Sequence, residues 1–204
     1  MSFDTYPAEI YLLRHGETEW TLDGRLQGRQ DSALTDSGRR LARQLGETLA
    51  GHFGPASASN AGAPTVLQVS PLGRAQQTAA LIRAGLGCAE PLTEARLSEV
   101  GFGDWEGLTF DDIEATWSDL IDQYDSLDWL FDAPNGEGYE RAAARVQSWL
   151  GEQSGRLIAV SHGLTSQLIC CAYLGLPRAA VADYIIDPGA IYRLQDGRIE
   201  TIRP

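Results

Sequence analysis

The chain has 204 residues, 43% of them hydrophobic, enough to bury one sizeable core. Its 28 acidic against 16 basic residues give a net charge of −12, which argues against nucleic acid or an anionic membrane as a partner. Every one of those basic residues is arginine, a bias set down to base composition; no apolar run reaches membrane-spanning length, and an N-terminus without a basic region and with Asp4 does not read as a secretory signal.

In chain order, residues 9–13 read as a first strand that ends at Arg14 and His15. Thr35 caps a helix whose apolar positions Leu41, Leu45 and Leu49 recur every four residues. Residues 54–64 are rich in Gly, Ala, Ser and Pro and read as a surface loop with no assignable chemistry. A strand over 66–69 and a helix over 73–83 follow, and Thr109 to Asp112 resembles a capping box that opens a helix using Ile113, Trp117 and Leu120. Then come a helix over 138–150, a strand over 157–161 and a helix over 164–174. Strands over 190–194 and 198–202, joined by Asp196-Gly197, form a hairpin signal. The alternation predicts an α/β fold with a mostly parallel sheet and the motifs gathered at the carboxyl ends of its strands. Cys88, Cys170 and Cys171 have neither metal-ligand spacing nor an even count, so reduced, buried thiols in a cytoplasmic protein are expected.

The chemistry gathers at three strand ends. Leu13-Arg14-His15-Gly16-Glu17-Thr18 sets a nucleophilic imidazole beside a guanidinium whose planar fork matches phosphate oxygens. Gly16 lets backbone approach an anion closely. His162-Gly163 follows a second apolar strand, and Arg74 sits in the first turn of the helix after a third. An arginine there runs against the helix dipole, which already favours anions, so an anion is its expected partner.

These residues resemble the histidine phosphatase superfamily, the phosphoglycerate mutase-like group. Its hallmark Leu-Arg-His-Gly-Glu-Thr is matched at residues 13–18. The resemblance continues through Gly24-Arg25-Leu26-Gln27-Gly28, Leu34-Thr35, residues 70–78, Leu97-Ser98-Glu99, Gly103-Asp104-Trp105-Glu106-Gly107 and Val160-Ser161-His162-Gly163. It implies a three-layer sandwich with a mostly parallel central sheet flanked by helices. It also implies one domain over residues 1–204, in which about 100–140 form a cap over the site. By the same resemblance, His15 would attack phosphorus and form a phosphohistidine, with Glu99 as proton donor and Glu106 second for that role. Arg14 and Arg74 would clamp the nonbridging oxygens, each worth about 3 kcal/mol at about 5 Å with an effective dielectric near 20. His162 would add a hydrogen bond or a third positive charge, and the clustered cations would keep His15 unprotonated. Thr21, Arg25, Gln27 and Gly163 are expected in the phosphate pocket, Glu17 and Thr18 in the turn's own hydrogen bonds, and His52 in solvent. No metal or cofactor is required, since arginines do the neutralising. The expected partner is a small phosphorylated substrate, with a homodimer left open.

Thr21 stands where the family carries an asparagine, Leu164 where a second glycine is common, and residues 134–138 match the family's Pro-Gly-Gly-Glu-Ser turn only in part. Val100-Gly101-Phe102-Gly103 replaces the Arg-His-Tyr-Gly of cofactor-dependent mutases, and residues 97–140 contain acids but no basic residue. An acidic lid would repel a second phosphate or carboxylate, which favours a metal-independent phosphomonoesterase. A cofactor-dependent phosphoglycerate mutase and a non-catalytic phosphate-binding family member are the alternatives, as is a lid whose acids merely form a solvated outer face.

Overall fold

A computed structural model describes residues 6–54, 66–86, 90–124 and 126–204. The expected loop beyond Gly54 and Cys88 lie outside the described residues. Strand β1 (Glu9–Arg14) is at the heart of a six-stranded sheet with β2 (Val66–Val69), β3 (Leu92–Thr93), β4 (Arg156–Ser161), β5 (Ile191–Gln195) and β6 (Arg198–Ile202), in the order β3-β2-β4-β1-β5-β6. The first four of that order run parallel, and β5 and β6 form an antiparallel hairpin at one edge. The hairpin turns at Asp196 and Gly197, with φ of 51° and 71°, the left-handed pair that lets two strands close over two residues.

Continuous apolar runs in β1 and β4 mark strands covered on both faces. Ile10 and Leu12 point into one core and Tyr11 and Leu13 into the other; Leu157 and Ala159 divide from Ile158 and Val160 in the same way. Helices α2 (Asp36–Phe53) and α3 (Gly73–Leu86) cover one face. Helices α5 (Tyr139–Glu152) and α6 (Gly163–Leu174) cover the other, together with the 3-10 turns Gly103–Trp105 and Leu127–Asp132 and helix α4 (Phe110–Ile121). This is the α/β fold with a mostly parallel sheet that the alternation predicts, layered as the family resemblance implies. Helix α4 kinks at Trp117, whose φ of −126° and ψ of 30° leave the helical region while its ring packs against Trp105. A short helix α1 (Glu19–Leu22) and strand β3 were not legible in the sequence, because four and two residues are too short to show a period.

His52 is exposed, as expected, but it sits in the last turn of α2 with Nε2 3.2 Å from the Tyr11 hydroxyl and its ring edge-on to Tyr11. One expectation needs revision. Most of the acids between residues 97 and 140 do not form the inner face of a lid: Asp104, Asp111, Asp112, Glu114, Asp119 and Asp122 are exposed, while Glu99 lines the pocket and Glu106, Asp128 and Glu137 are half-buried. Cys170 and Cys171 are buried and free, and burial pushes the Cys171 thiol up to about 11, so the inert reading holds for this pair.

What fixes the first motif against the body of the protein is a contact between two glycines. A Cβ on Gly16 would lie 2.8 Å from the Gly38 carbonyl oxygen, and a Cβ on Gly38 would lie 2.3 Å from the Glu17 carbonyl oxygen. The turn after β1 therefore rests on the first turn of α2 with no side chain between them. Thr35 completes the join: its hydroxyl accepts from Gly38 N at 2.9 Å and donates to Glu17 Oε1 at 2.7 Å. Gly38→Ala should cost about 1–3 kcal/mol, the usual range for overpacking, and displace the His15 turn. Urea unfolding of that variant checks it; stability equal to wild type would mean that the two backbones can part freely.

Candidate active site

Three neighbouring strands deliver the site. Because β2, β4 and β1 are adjacent and parallel, their carboxyl ends emerge side by side, with Val160 opposite both Val69 and Leu13. The backbone continues that register one step past the strands: His15 N donates to Ser161 O at 2.9 Å and Ser70 N to Val160 O at 3.1 Å. Arg14, His15, Arg74 and Glu99 line one pocket of about 340 Å³, and His162 lies beside it with its ring 5.1 Å from that of His15.

His15 is 3% exposed, and its Nδ1 lies 2.8 Å from the Gly16 carbonyl oxygen. A carbonyl can only accept, so Nδ1 carries the proton and Nε2 the lone pair. Burial first, and then the charges of Arg14 and Arg74, hold the imidazole pKa well below its ordinary value. His162 is depressed likewise, by burial and then by His15, Arg74 and Arg14. It is therefore a neutral hydrogen-bonding group, not a third positive charge. Its Nε2 is 2.7 Å from the Ser70 hydroxyl, and its Nδ1 is buried without a partner.

Arg74 is fully buried at 1% exposure. Its guanidinium is held by the carbonyls of Gln30 (2.6 Å) and Gly28 (2.9 Å) and by Asp31 Oδ1 (3.1 Å). Asp31 also takes the N–H groups of Gly73 and Arg74 at the start of α3. Arg14 lies across Gly163, whose missing side chain leaves the guanidinium carbon 3.4 Å from where a Cβ would stand. Both arginines keep a buried Nε without a partner, as does the Gln27 Oε1 acceptor. Burial lowers both arginine pKa values and Glu99 pulls them back up; guanidinium stays charged throughout.

Glu99 is 7% exposed and sits at the N-terminus of α6. Its Oε1 accepts from the N–H groups of Val100 and Thr165 (both 3.0 Å) and the Thr165 hydroxyl (3.1 Å), and its Oε2 from Leu164 N (3.3 Å). The first turn of that helix is an anion site, and a carboxylate from another part of the chain fills it. The departure at Leu164 thus leaves the backbone donor in use.

Thr21 lines the pocket and takes the Gln27 amide at 3.3 Å, while it closes a capping box with Thr18. Arg25 reaches the pocket's rim, but its guanidinium donates to Gly107 O at 2.7 Å and pairs with Asp23 at 3.8 Å. Glu106, second for the proton-donor role, accepts from Arg29 N (2.9 Å) and Phe102 N (3.1 Å) and so braces two loops instead. Sequence reasoning missed Ser70, Asp31, Thr165 and Thr78, whose hydroxyl accepts from Gly16 N at 3.0 Å. It also missed Glu137, which ties Arg145 (2.6 Å), Arg29 (3.1 Å) and Gly101 N (3.2 Å) together. Burial opposes the charge on Glu137, yet those donors outweigh it and hold its pKa below the ordinary value. Ser70 and Thr78 lay inside a quoted motif; Asp31 and Glu137 gave no pattern by which to find their partners.

Two buried neutral histidines have a thermodynamic signature. The unfolded chain protonates them below about pH 6.5 while the native chain does not. The unfolded state then binds more protons, so stability falls as pH drops below that value, by up to about 1.4 kcal/mol per pH unit for each histidine. Urea unfolding at pH 7, 6 and 5 should show the loss, and His162→Gln should roughly halve its slope. A stability that is flat over that window would mean that both rings take up protons in the folded state.

The comparisons agree with the geometry. Residues 10–199 match the family described as histidine phosphatase superfamily (branch 1). The protein named "Probable phosphoglycerate mutase GpmB" from Enterobacter sp. (strain 638) is 33% identical over 182 residues, 84% of this chain and 77% of its own. Among solved structures, YhfR from Bacillus stearothermophilus superposes with a TM-score of 0.76 at 27% identity, over 96% of each chain. A mycobacterial glucosyl-3-phosphoglycerate phosphatase, Rv2419c, studied with VO3, gives 0.76 at 26% identity, over 95% of this chain and 96% of its own. The chain belongs to the histidine phosphatase superfamily.

Proposed function

We propose that the protein is a metal-independent phosphomonoesterase that acts on small phosphorylated metabolites through a phosphohistidine. The observation that carries this is the state of His15: buried, neutral, with its proton committed to the Gly16 carbonyl and its ring on the same pocket as two arginines. A phosphate monoester repels anionic nucleophiles, so a neutral nitrogen flanked by fixed cations suits the attack. The buried Nε donors of Arg14 and Arg74 are groups that phosphoryl oxygens would satisfy.

In this reading the His15 Nε2 lone pair forms an N–P bond as the P–O ester bond breaks. Glu99 takes up the proton of a monoester monoanion on binding and gives it to the departing oxygen. Glu99 then takes a proton from water, whose oxygen forms the new P–O bond as N–P breaks, and inorganic phosphate leaves with His15 regenerated. His162, fixed by Ser70, holds a nonbridging oxygen by a hydrogen bond. Thr21, Arg25, Gln27 and Gly163 line the rest of the phosphate pocket. The segment of about residues 100–140 serves as the cap of a single domain, and the pocket is open to soluble substrates.

The names of the relatives include both a mutase and a phosphatase. A bisphosphate-dependent mutase needs cations for a second anion. Beyond Arg14 and Arg74, the described residues of the pocket's lining offer Arg25 as a further cation, already paired with Asp23 and the Gly107 carbonyl. That favours hydrolysis. A non-catalytic binding role fits poorly with a chain that retains Arg14, His15, Arg74, Glu99 and His162 together.

Phosphate release from phenyl phosphate should survive EDTA and fall by about 10³ or more in His15→Ala. Glu99→Gln should lower kcat by about 10²–10⁴ for phenyl phosphate and less for 4-nitrophenyl phosphate, whose better leaving group depends less on a proton. Loss of turnover with EDTA, or an unchanged rate in His15→Ala, would sink the mechanism. Phosphate transfer to 3-phosphoglycerate in a bisphosphate-primed assay, with no hydrolysis, would replace it with the mutase.

A further inference from the structure

The floor of the pocket carries the reactive charged groups, and its wall is largely apolar. Leu26, Phe102, Phe110, Leu127, Leu130 and Ile186 line it, with Thr21, Arg25, Gln27 and Gln167 as polar neighbours in the same pocket. Four of the six apolar side chains come from residues 97–140, a stretch without a basic residue whose acids at Asp111, Asp112 and Glu114 face solvent. Phe102, Leu130 and Ile186 are 4%, 8% and 4% exposed, whereas Phe110 and Leu127 remain 45% and 47% exposed at the mouth. Single exposed apolar side chains are ordinary. Two that share one pocket with buried ones, and continue inward to a nucleophile, form a surface for something apolar. The wall is firm: Phe110 packs edge-on against Trp129 at 5.8 Å, and Trp129 against buried Trp105 at 5.2 Å.

We infer that these six side chains form a leaving-group site for apolar alcohols, so that the substrate class is alkyl or aryl phosphate monoesters. The inference rests on the phosphomonoester reading above. A polar leaving group laid along these six side chains would give up water without a partner from them, while an alkyl chain would gain by leaving water. A fully buried methylene is worth about fourfold in affinity; beside a half-open mouth about twofold each is expected, or about thirtyfold across five.

Alkylphosphonates test this without turnover, because their C–P bond is not cleaved by phosphoryl transfer. Calorimetric titration with methyl-, butyl- and hexylphosphonate should give hexyl binding at least thirtyfold tighter than methyl. In Phe110→Ser/Leu127→Ser that ratio should drop below about fivefold. Both side chains are half-exposed, and a urea unfolding curve on the double variant shows that it folds; Leu127→Ser alone should lower the ratio part of the way. A wild-type ratio under threefold, a ratio kept in the double variant, or no binding of any member overturns the inference. A flat series in a dimer that dissociates in the double variant would assign the face to a second copy and likewise overturn it. A steep series in a protein that releases no phosphate from any monoester would instead overturn the phosphatase reading and leave the apolar site standing.

Discussion

A buried guanidinium at Arg74 and a partly buried one at Arg14, both beside a neutral imidazole, are the constraint around which the rest of this protein is arranged. Each buried cation costs several kcal/mol unless it is paired and hydrogen-bonded. Arg74 is compensated by Asp31 and two carbonyls, and Glu99 supplies opposite charge to both arginines. Glu99 is itself buried and needs donors, which the first turn of α6 provides. That turn begins at Gly163, directly after His162, so the strand that presents the second histidine also launches the helix that stabilises the carboxylate. Such a loop of dependence makes the site cooperative. Removing one member leaves the next with an uncompensated charge.

The same arrangement explains why the histidines stay neutral without a dedicated device. Nearby positive charge and burial both act against an imidazolium, and here they act in the same direction. What anchors the tautomer is the Gly16 carbonyl, available only because the glycine turn is packed against Gly38 with no side chain between. The orientation of the His15 ring therefore involves a backbone contact outside the pocket as well as the arginines within it.

Much of this was legible in the sequence, and for physical reasons. Strands covered on both faces announce themselves as apolar runs, and a histidine directly after such a run must emerge at a strand end; hence His15 and His162 could be placed together, with Arg74 near them. The β5–β6 hairpin was legible from Asp196-Gly197 because few residue pairs tolerate two positive φ values. The hidden part is what depends on pairing across long separations. Asp31 serves Arg74 from 43 residues away and Glu137 reaches Gly101 from 36; neither carboxylate sits in a pattern that names its partner. The acids of residues 97–140 mislead for a related reason. Composition gives the charge of a segment, but only α4's buried Ile113 and its exposed opposite face decide that the charge points to solvent.

This division between floor and wall separates two properties that could otherwise be tied together. The floor is fixed by strand register, by the β1–α2 contact and by α6, so its geometry is set by the core of the fold. The wall stands on 3-10 turns and a kinked helix that pack on the core through Trp105, Ile113, Trp129 and Phe131, with polar ties from the Glu137 cluster with Arg145, Arg29 and Gly101 N, and from Glu106 with Arg29 N and Phe102 N. Under the proposed chemistry, substitutions in the wall would change which leaving group is accepted while the floor keeps its geometry. Relatives at 26% to 33% identity, bearing names as different as mutase and glucosyl-3-phosphoglycerate phosphatase, are what such a scaffold would produce. In this chain the wall is largely apolar and most of its acids face outward, so selectivity would come from desolvation of the leaving group and not from repulsion of a second charge.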